Sequence, residues 1–183
     1  KITVDFVTPY LKDKVEGLGN AVKGLLFYDL ATGWLQFEPQ TCNDAKETIR
    51  SILYIVGDAK KVKLAISDGA GELVSAFNQL GIVHRQSLPG RPESNSLIER
   101  QVQVLARGAR ALLAASGLPM AFWGYAAQCF CHLRNIQSDE LGVSSWGLRF
   151  HRSVQRVYKG HMQPFGSYVA YIPPTTTEEH DKK

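Results

Sequence analysis

Three acidic residues, Asp5, Asp68 and Glu99, have the types and spacing that metal-ion chemistry needs. Asp5 interrupts the apolar stretch ITVDFV. Asp68 closes a run in which Lys alternates with apolar residues. Glu99 opens a long apolar-periodic segment that follows a loop rich in Pro and Gly. Carboxylates brought together from separate elements repel one another unless cations lie between them, and two divalent ions about 3.5 to 4 Å apart need converging oxygen ligands of this kind. Among 17 Asp and Glu residues some trio would fit by chance, so spacing alone does not distinguish these three from surface carboxylates. Other candidate sets are thinner. On a helix Cys129 and His132 share a face while Cys131 points elsewhere, and no second ligand pair lies near in sequence; these residues read as core packing, and no zinc is expected. Trp34, Trp123 and Trp146 read as core or interface anchors. No Gly-rich phosphate loop of the nucleotide-hydrolase type and no Ser/His/Asp set stands out.

The elements that must position the three carboxylates are legible from periodicity. Ile2, Val4 and Phe6 alternate with Thr3, Asp5 and Val7, which predicts a strand with Asp5 on the face opposite the apolar row. Residues 21–30 and a third segment carrying Trp34, Leu35 and Phe37, joined through Ala31, Thr32 and Gly33, complete an antiparallel meander. A helix follows, with Thr41 and Asp44 read as its capping box and Ala45, Ile49, Ile52, Leu53 and Val56 as its apolar stripe. Lys61 to Ser67 reads as a fourth strand ending at Asp68. A short helix with Leu73, Ala76, Phe77 and Leu80 then leads to an extended piece around 82–87 and a loop from Leu88 to Pro92.

Ser94 or Asn95 is positioned to cap a long helix. Its stripe of Ile98, Val102, Leu105, Ala109 and Leu112 faces inward, and Glu99, Gln103, Arg107 and Arg110 share the opposite face. Another helix runs from about Pro119 to Ile136, and Tyr168 to Ile172 reads as strand-like. This order of elements predicts an α/β fold, a mixed five-stranded sheet flanked by helices, with a short basic C-terminal extension.

With 183 residues the chain suits one domain and a short appendage, and 44% hydrophobic with 21% charged residues excludes a disordered, collagen-like or disulfide-scaffold chain. Three cysteines, an odd number, argue for reduced thiols. The net charge is 21 − 17 = +4, and residues 141–177 hold no Asp or Glu but do hold Arg149, Arg152, Arg156 and Lys159, which concentrates positive potential toward the C-terminal part. Residues 111–133 carry no charge, but Ser116, Gly117, Leu118 and Pro119 break the run, so no membrane span is expected. The chain opens on Lys1 without a signal-peptide pattern, as a piece of something longer would.

The stretches SDGAGEL at 67–73 and GRPESNSLIER at 90–100, followed by ARALLAASGLPMAFWGYA, resemble the catalytic core of integrases from copia-like long-terminal-repeat retrotransposons, related to retroviral integrases. VDF at 4–6, YDLATGW at 28–34 and PFGSYVAYIP at 164–173 extend the resemblance over nearly the whole chain. It implies an RNase H-like core over 1–137, a basic extension with a short strand over 138–173 and a disordered tail over 174–183. Asp5, Asp68 and Glu99 match the acidic triad by motif position.

The implied activity is metal-dependent phosphodiester cleavage and strand transfer with two Mg²⁺ (or Mn²⁺) ions, Asp5 being shared between them, Asp68 on one and Glu99 on the other. Arg100, Arg107, Arg110, Arg149, Arg152, Arg156 and Lys159 would hold the phosphates of double-stranded DNA. His84, Arg85 and Arg91 flank the loop as secondary contacts or as solvated charges. The resemblance also implies a homo-multimer acting in the nucleus.

This chain departs from the family pattern at several points. Gly69 and Ala70 follow Asp68 where Asn-Gly is usual, Asn95 and Ser96 replace a second Asn-Gly, and Val102 and Gln103 replace polar or basic residues. The separation 99 − 68 − 1 = 30 is shorter than the family's roughly thirty-five. The departures motivate an alternative: a domesticated, catalytically inactive integrase-like fold acting as a scaffold among protein partners in a larger assembly.

Overall fold

In β1 (Ile2–Val7) the alternation is realised. Ile2 and Val4 are buried in one core cluster with Phe6 packed beside them, and Val7 packs against a second cluster across the sheet. The computed structural model describes residues 1–8, 15–87, 96–150 and 158–170. β1 is the central strand. It pairs antiparallel with β2 (Lys23–Asp29) and parallel with β4 (Ala65–Ser67), while β2 pairs antiparallel with β3 (Leu35–Gln40) and β4 parallel with β5 (His84–Gln86). The order β3-β2-β1-β4-β5 is the mixed five-stranded sheet that the pattern predicts.

Helices α1 (Ala45–Val56) and α2 (Gly71–Gln79) cover one face, burying Ile52, Ile55, Leu73, Ala76 and Phe77 against Leu25, Phe27 and Ala65. Helices α3 (Ser96–Ser116) and α4 (Trp123–Ile136) cover the other, setting Ile98, Leu105, Ala109, Leu113, Trp123, Ala126 and Cys131 against Leu26, Leu35 and Phe37. Two glycines permit close approach. A Cβ at Gly24 would lie 2.0 Å from the Phe37 ring, and one at Gly108 would lie 2.0 Å from the Phe130 ring that α4 lays on α3.

β3 is an edge strand, and its exposed backbone is occupied from two directions. Pro39 removes one N–H from the strand, and the buried Asn135 amide pairs with Leu35, whose N–H donates to Asn135 Oδ1 at 2.9 Å while Asn135 Nδ2 donates back to the Leu35 carbonyl at 2.6 Å. After α4 the chain turns into α5 (Ser145–Phe150), whose first turn is held by Gly147 N donating to Ser144 Oγ at 3.1 Å.

Several boundaries move from the sequence reading for physical reasons. The N-cap of α1 is Asp44, which accepts from Lys46 N. Glu47, three residues on, reaches back to the backbone N–H groups of Thr41 and Cys42 at 3.0 and 2.9 Å, so Thr41 is a partner of the cap and not the cap itself. Ala59–Lys61 forms a 3₁₀ turn capped by Asp58, and the fourth strand shrinks to the three residues that find ladder partners. Met120–Phe122 is likewise a 3₁₀ turn ahead of α4. In α3 the buried positions are Ile98, Gln101, Leu105, Ala109 and Leu113, with Val102 and Leu112 at the margin of the stripe. Residues 168–170 are exposed and form no strand. Residues 171–183, Ser94 and Asn95 lie outside the described residues.

Candidate active site

The parallel register of β1 and β4 brings the two aspartates side by side. Ile2 pairs with Ala65 and Thr3 with Ile66. Continuing that register two residues past the end of the ladder brings Asp68 level with Asp5, and the Asp68 charge acts on the Asp5 carboxyl. Asp68 is fixed locally: Ala70 N donates to its Oδ1 at 3.2 Å, an Asx turn, and Ser67 Oγ donates to its carbonyl at 2.8 Å. Glu99 stands exposed in the first turn of α3, which packs on β1. Asp5, Thr8, Glu99, Gln103, Arg107 and Arg110 line one open groove, with Phe6, Val7, Val102 and Ala106 beneath them.

The electrostatics single out Asp5. Burial pushes its carboxyl up to about 6, the neighbouring Asp68 charge adds to that, the Phe6 backbone N–H opposes it, and Glu99 raises it further. The three carboxylates therefore share one field. The ion pair between Lys23 and Glu72 at 3.7 Å involves none of them. Among the described residues no three Asp, Glu, His or Cys side chains are gathered closely enough to hold a single ion together. The donor set is one of hard oxygens arranged around Asp5. Hard oxygens of this kind suit a hard divalent cation such as Mg²⁺ or Mn²⁺.

The basic residues divide by position. Arg107 and Arg110 lie two to three turns along α3 from Glu99 on the groove side, with Arg110 Nε held by the Ala106 carbonyl at 3.0 Å. Arg100 is exposed beside Glu99, and Lys159 and Arg85 are exposed elsewhere. Arg149 lies away from the groove, in a cavity lined by Lys1, Ile2 and Asp29 at the start of β1. Its Nη2 donates to the Ile55 carbonyl at 2.7 Å, and its guanidinium packs 4.9 Å from the Trp34 ring centre. Arg91, Arg152 and Arg156 lie outside the described residues.

Cys131 is buried in the core, with its thiol pushed up to about 12 by desolvation, and exposed His132 sets its ring edge-on to Tyr158. Trp123 packs in the core against Phe37. Trp34 and Trp146 each meet Phe150.

The chain is 36% identical over 135 residues to the retrovirus-related Pol polyprotein from transposon TNT 1-94 of Nicotiana tabacum, a match covering 68% of this chain and 10% of that polyprotein. Its fold matches the cryo-EM structure of the simian T-cell lymphotropic virus intasome in complex with PP2A regulatory subunit B56 gamma. That match has a TM-score of 0.63 and 16% identity, and it covers 87% of this chain and 57% of the other.

The chain is a retrotransposon integrase-related protein. Its α/β architecture is RNase H-like, as the resemblance implied. No model of a protein family matches it. The integrase-related chain spans about a tenth of the polyprotein and somewhat over half of the intasome chain.

Two features escape a reading by motif. Thr8, just past β1, lines the groove, and on the other side of the sheet Ser67, next to Asp68 in the chain, is joined to His84, with Ser67 Oγ and His84 Nε2 2.8 Å apart. The positions after a strand that carries one acidic ligand are the signal that points to Thr8. No local pattern signals a contact between residues seventeen apart.

Proposed function

We propose that the integrase-related chain is the core of a DNA-integrating polynucleotidyl transferase, cutting and joining phosphodiesters with Asp5, Asp68 and Glu99 as ligands of two Mg²⁺ or Mn²⁺ ions. The observation that carries this is the raised Asp5 carboxyl in the field of Asp68 and Glu99, at the floor of an open groove that also holds Arg107 and Arg110. Among the described residues none of the three carboxylates forms an ion pair, and hard cations resolve repulsion of this kind.

Asp5 is the shared ligand because the charges of both Asp68 and Glu99 act on its carboxyl. Bound there, the ions would activate a water or a DNA 3′-hydroxyl and neutralise charge building on the phosphate. Arg107 and Arg110 hold flanking phosphates, giving sequence-tolerant, salt-sensitive grip on duplex DNA, with Arg100 and Lys159 as outlying contacts. The chain is expected to work as a multimer, and in the nucleus if it integrates.

A strand-transfer assay with Mg²⁺ or Mn²⁺ on the native chain and on Asp68→Asn tests this. Activity in the first and none in the second supports it. Equal absence of activity in both favours the second reading, a domesticated, inactive scaffold within a protein assembly. That reading is favoured by Gly69 and Ala70 after Asp68 and by the lack of a tight three-ligand cluster among the described residues.

A further inference from the structure

Asp68 carries no support from a regular ladder, because β4 stops at Ser67, yet a metal ligand must be held in one orientation to be useful. The residues that hold it lie beneath the sheet, on the side away from the groove. Ser67 is fully buried, and its hydroxyl makes two contacts, to the Asp68 carbonyl at 2.8 Å and to His84 Nε2 at 2.8 Å. A hydroxyl has one proton. Spent on the Asp68 carbonyl, it leaves the His84 contact to be made by a ring N–H, so His84 donates from Nε2 and Ser67 Oγ accepts.

The ring itself is fixed. β5 pairs with β4 so that His84 stands beside Ala65, and the Phe77 ring of α2 packs against it at 4.8 Å between centroids. Ser87 N also donates to the Ser67 carbonyl at 2.8 Å, closing the strand end. On the far side of Asp68, Ala70 N takes Oδ1, and Oδ2 has no hydrogen-bond partner among the described residues. The chain of contacts therefore runs from α2 through the His84 ring and the Ser67 hydroxyl to the Asp68 backbone, and ends on one free carboxylate oxygen.

We propose that His84 and Ser67 are a positioning pair that acts through the Asp68 carbonyl to orient the Asp68 carboxylate for cation binding. His84 touches neither cation nor DNA in this role. It does for Asp68 what hydrogen-bonded outer groups do for metal ligands in general, where their loss typically weakens metal affinity by about 10- to 100-fold. The inference rests on the metal reading of the groove, and two separate readouts keep the two apart.

The test uses the 183-residue chain as the native protein, Ser67→Ala, His84→Ala, His84→Gln and Asp68→Asn. Mn²⁺ binding is measured by electron paramagnetic resonance without DNA, and the amide resonances of Gly69 and Ala70 by NMR. His84 is half-buried on the edge strand β5, so its variants test the pair even where Ser67→Ala fails to fold.

The expected result is Mn²⁺ binding about tenfold weaker in Ser67→Ala and His84→Ala, with the Gly69 and Ala70 amides displaced. His84→Gln, which keeps a donor near the position of Nε2, should recover to within about threefold of native. Native Mn²⁺ affinity together with unmoved amides in His84→Ala overturns the proposal, as does a His84→Gln variant no better than His84→Ala. If the native chain binds Mn²⁺ no better than Asp68→Asn, the metal reading fails and the amide resonances alone decide whether the pair positions Asp68: displacement supports it, constancy overturns it.

Discussion

The two ends of β1 put charge to opposite uses. At the start of the strand Arg149 is half-buried and held by specific contacts. It donates to the Ile55 carbonyl, packs on Trp34 and lies in the field of Asp29, and burial draws its pKa down only against that opposing charge. Asp29 is satisfied too, accepting from Ala31 N at 3.1 Å and Thr32 Oγ1 at 2.8 Å. At the far end of the strand Asp5 faces Asp68 and Glu99, and its carboxyl rises to about 6. Charge that serves the fold is paired and stacked; a carboxylate that is part-buried and faces its own sign costs stability.

Substitution at each end sharpens the contrast. Asp5→Asn should abolish strand transfer, by at least ~10²–10³-fold, with the fold intact by circular dichroism. A variant that keeps full activity would remove the functional half of the comparison. Arg149→Ala should instead lower stability by about 2–3 kcal/mol, the joint loss of a charge-assisted hydrogen bond and a cation–π contact, read as a reduced urea midpoint. Its activity per folded molecule should stay within about twofold of native. A large fall in activity with no change in stability would place Arg149 in DNA binding after all.

A smaller effect runs in the opposite direction. Because the folded pKa of Asp5, about 6, lies above its ordinary value of 3.8, the native state binds the extra proton between these values. The penalty is full above pH ~6, shrinks as pH falls through that range, and is gone below pH ~4. Asp5→Asn should therefore stabilise the metal-free protein at pH 7, on the order of 1–2 kcal/mol after allowance for solvent screening at a partly open site. The gap from native should narrow at pH 5 and close near pH 4. A gap constant across this range contradicts a carboxyl raised by burial and, beyond that, by its acidic neighbours. Smallest of all, Arg107→Ala should weaken binding to duplex DNA by several-fold irrespective of sequence and reduce the slope of log K against log salt by about one. An unchanged salt slope removes Arg107 from the phosphate contacts.

Local patterns made much of the molecule readable. Strand alternation placed Asp5 on the face opposite Ile2 and Val4, and helical spacing put Glu99, Arg107 and Arg110 on one side of α3, where the groove now lies. Local rules also misled by a residue or a turn. Thr41 and Asp44 both suit a cap, and only the backbone geometry of Asp44 and the reach of Glu47 decided between them. The Lys-rich run before Asp68 alternates like a strand, but only Ala65, Ile66 and Ser67 found partners on β1 and β5.

The sequence by itself determined which residues are apolar, which are charged and at what period each recurs, and therefore the elements and the mixed sheet; its motifs, through the resemblance they carry, singled out the three acidic candidates. That information is local, carried by propensity and periodicity over a dozen residues. Tertiary structure alone decided which side chains meet. The parallel register of β1 with β4 sets Asp68 beside Asp5, the β4–β5 pairing brings His84 to Ser67, and the turn into α5 takes Arg149 to a carbonyl 94 residues away and out of the groove. Such contacts depend on how separate elements pack, and no window of sequence contains both partners.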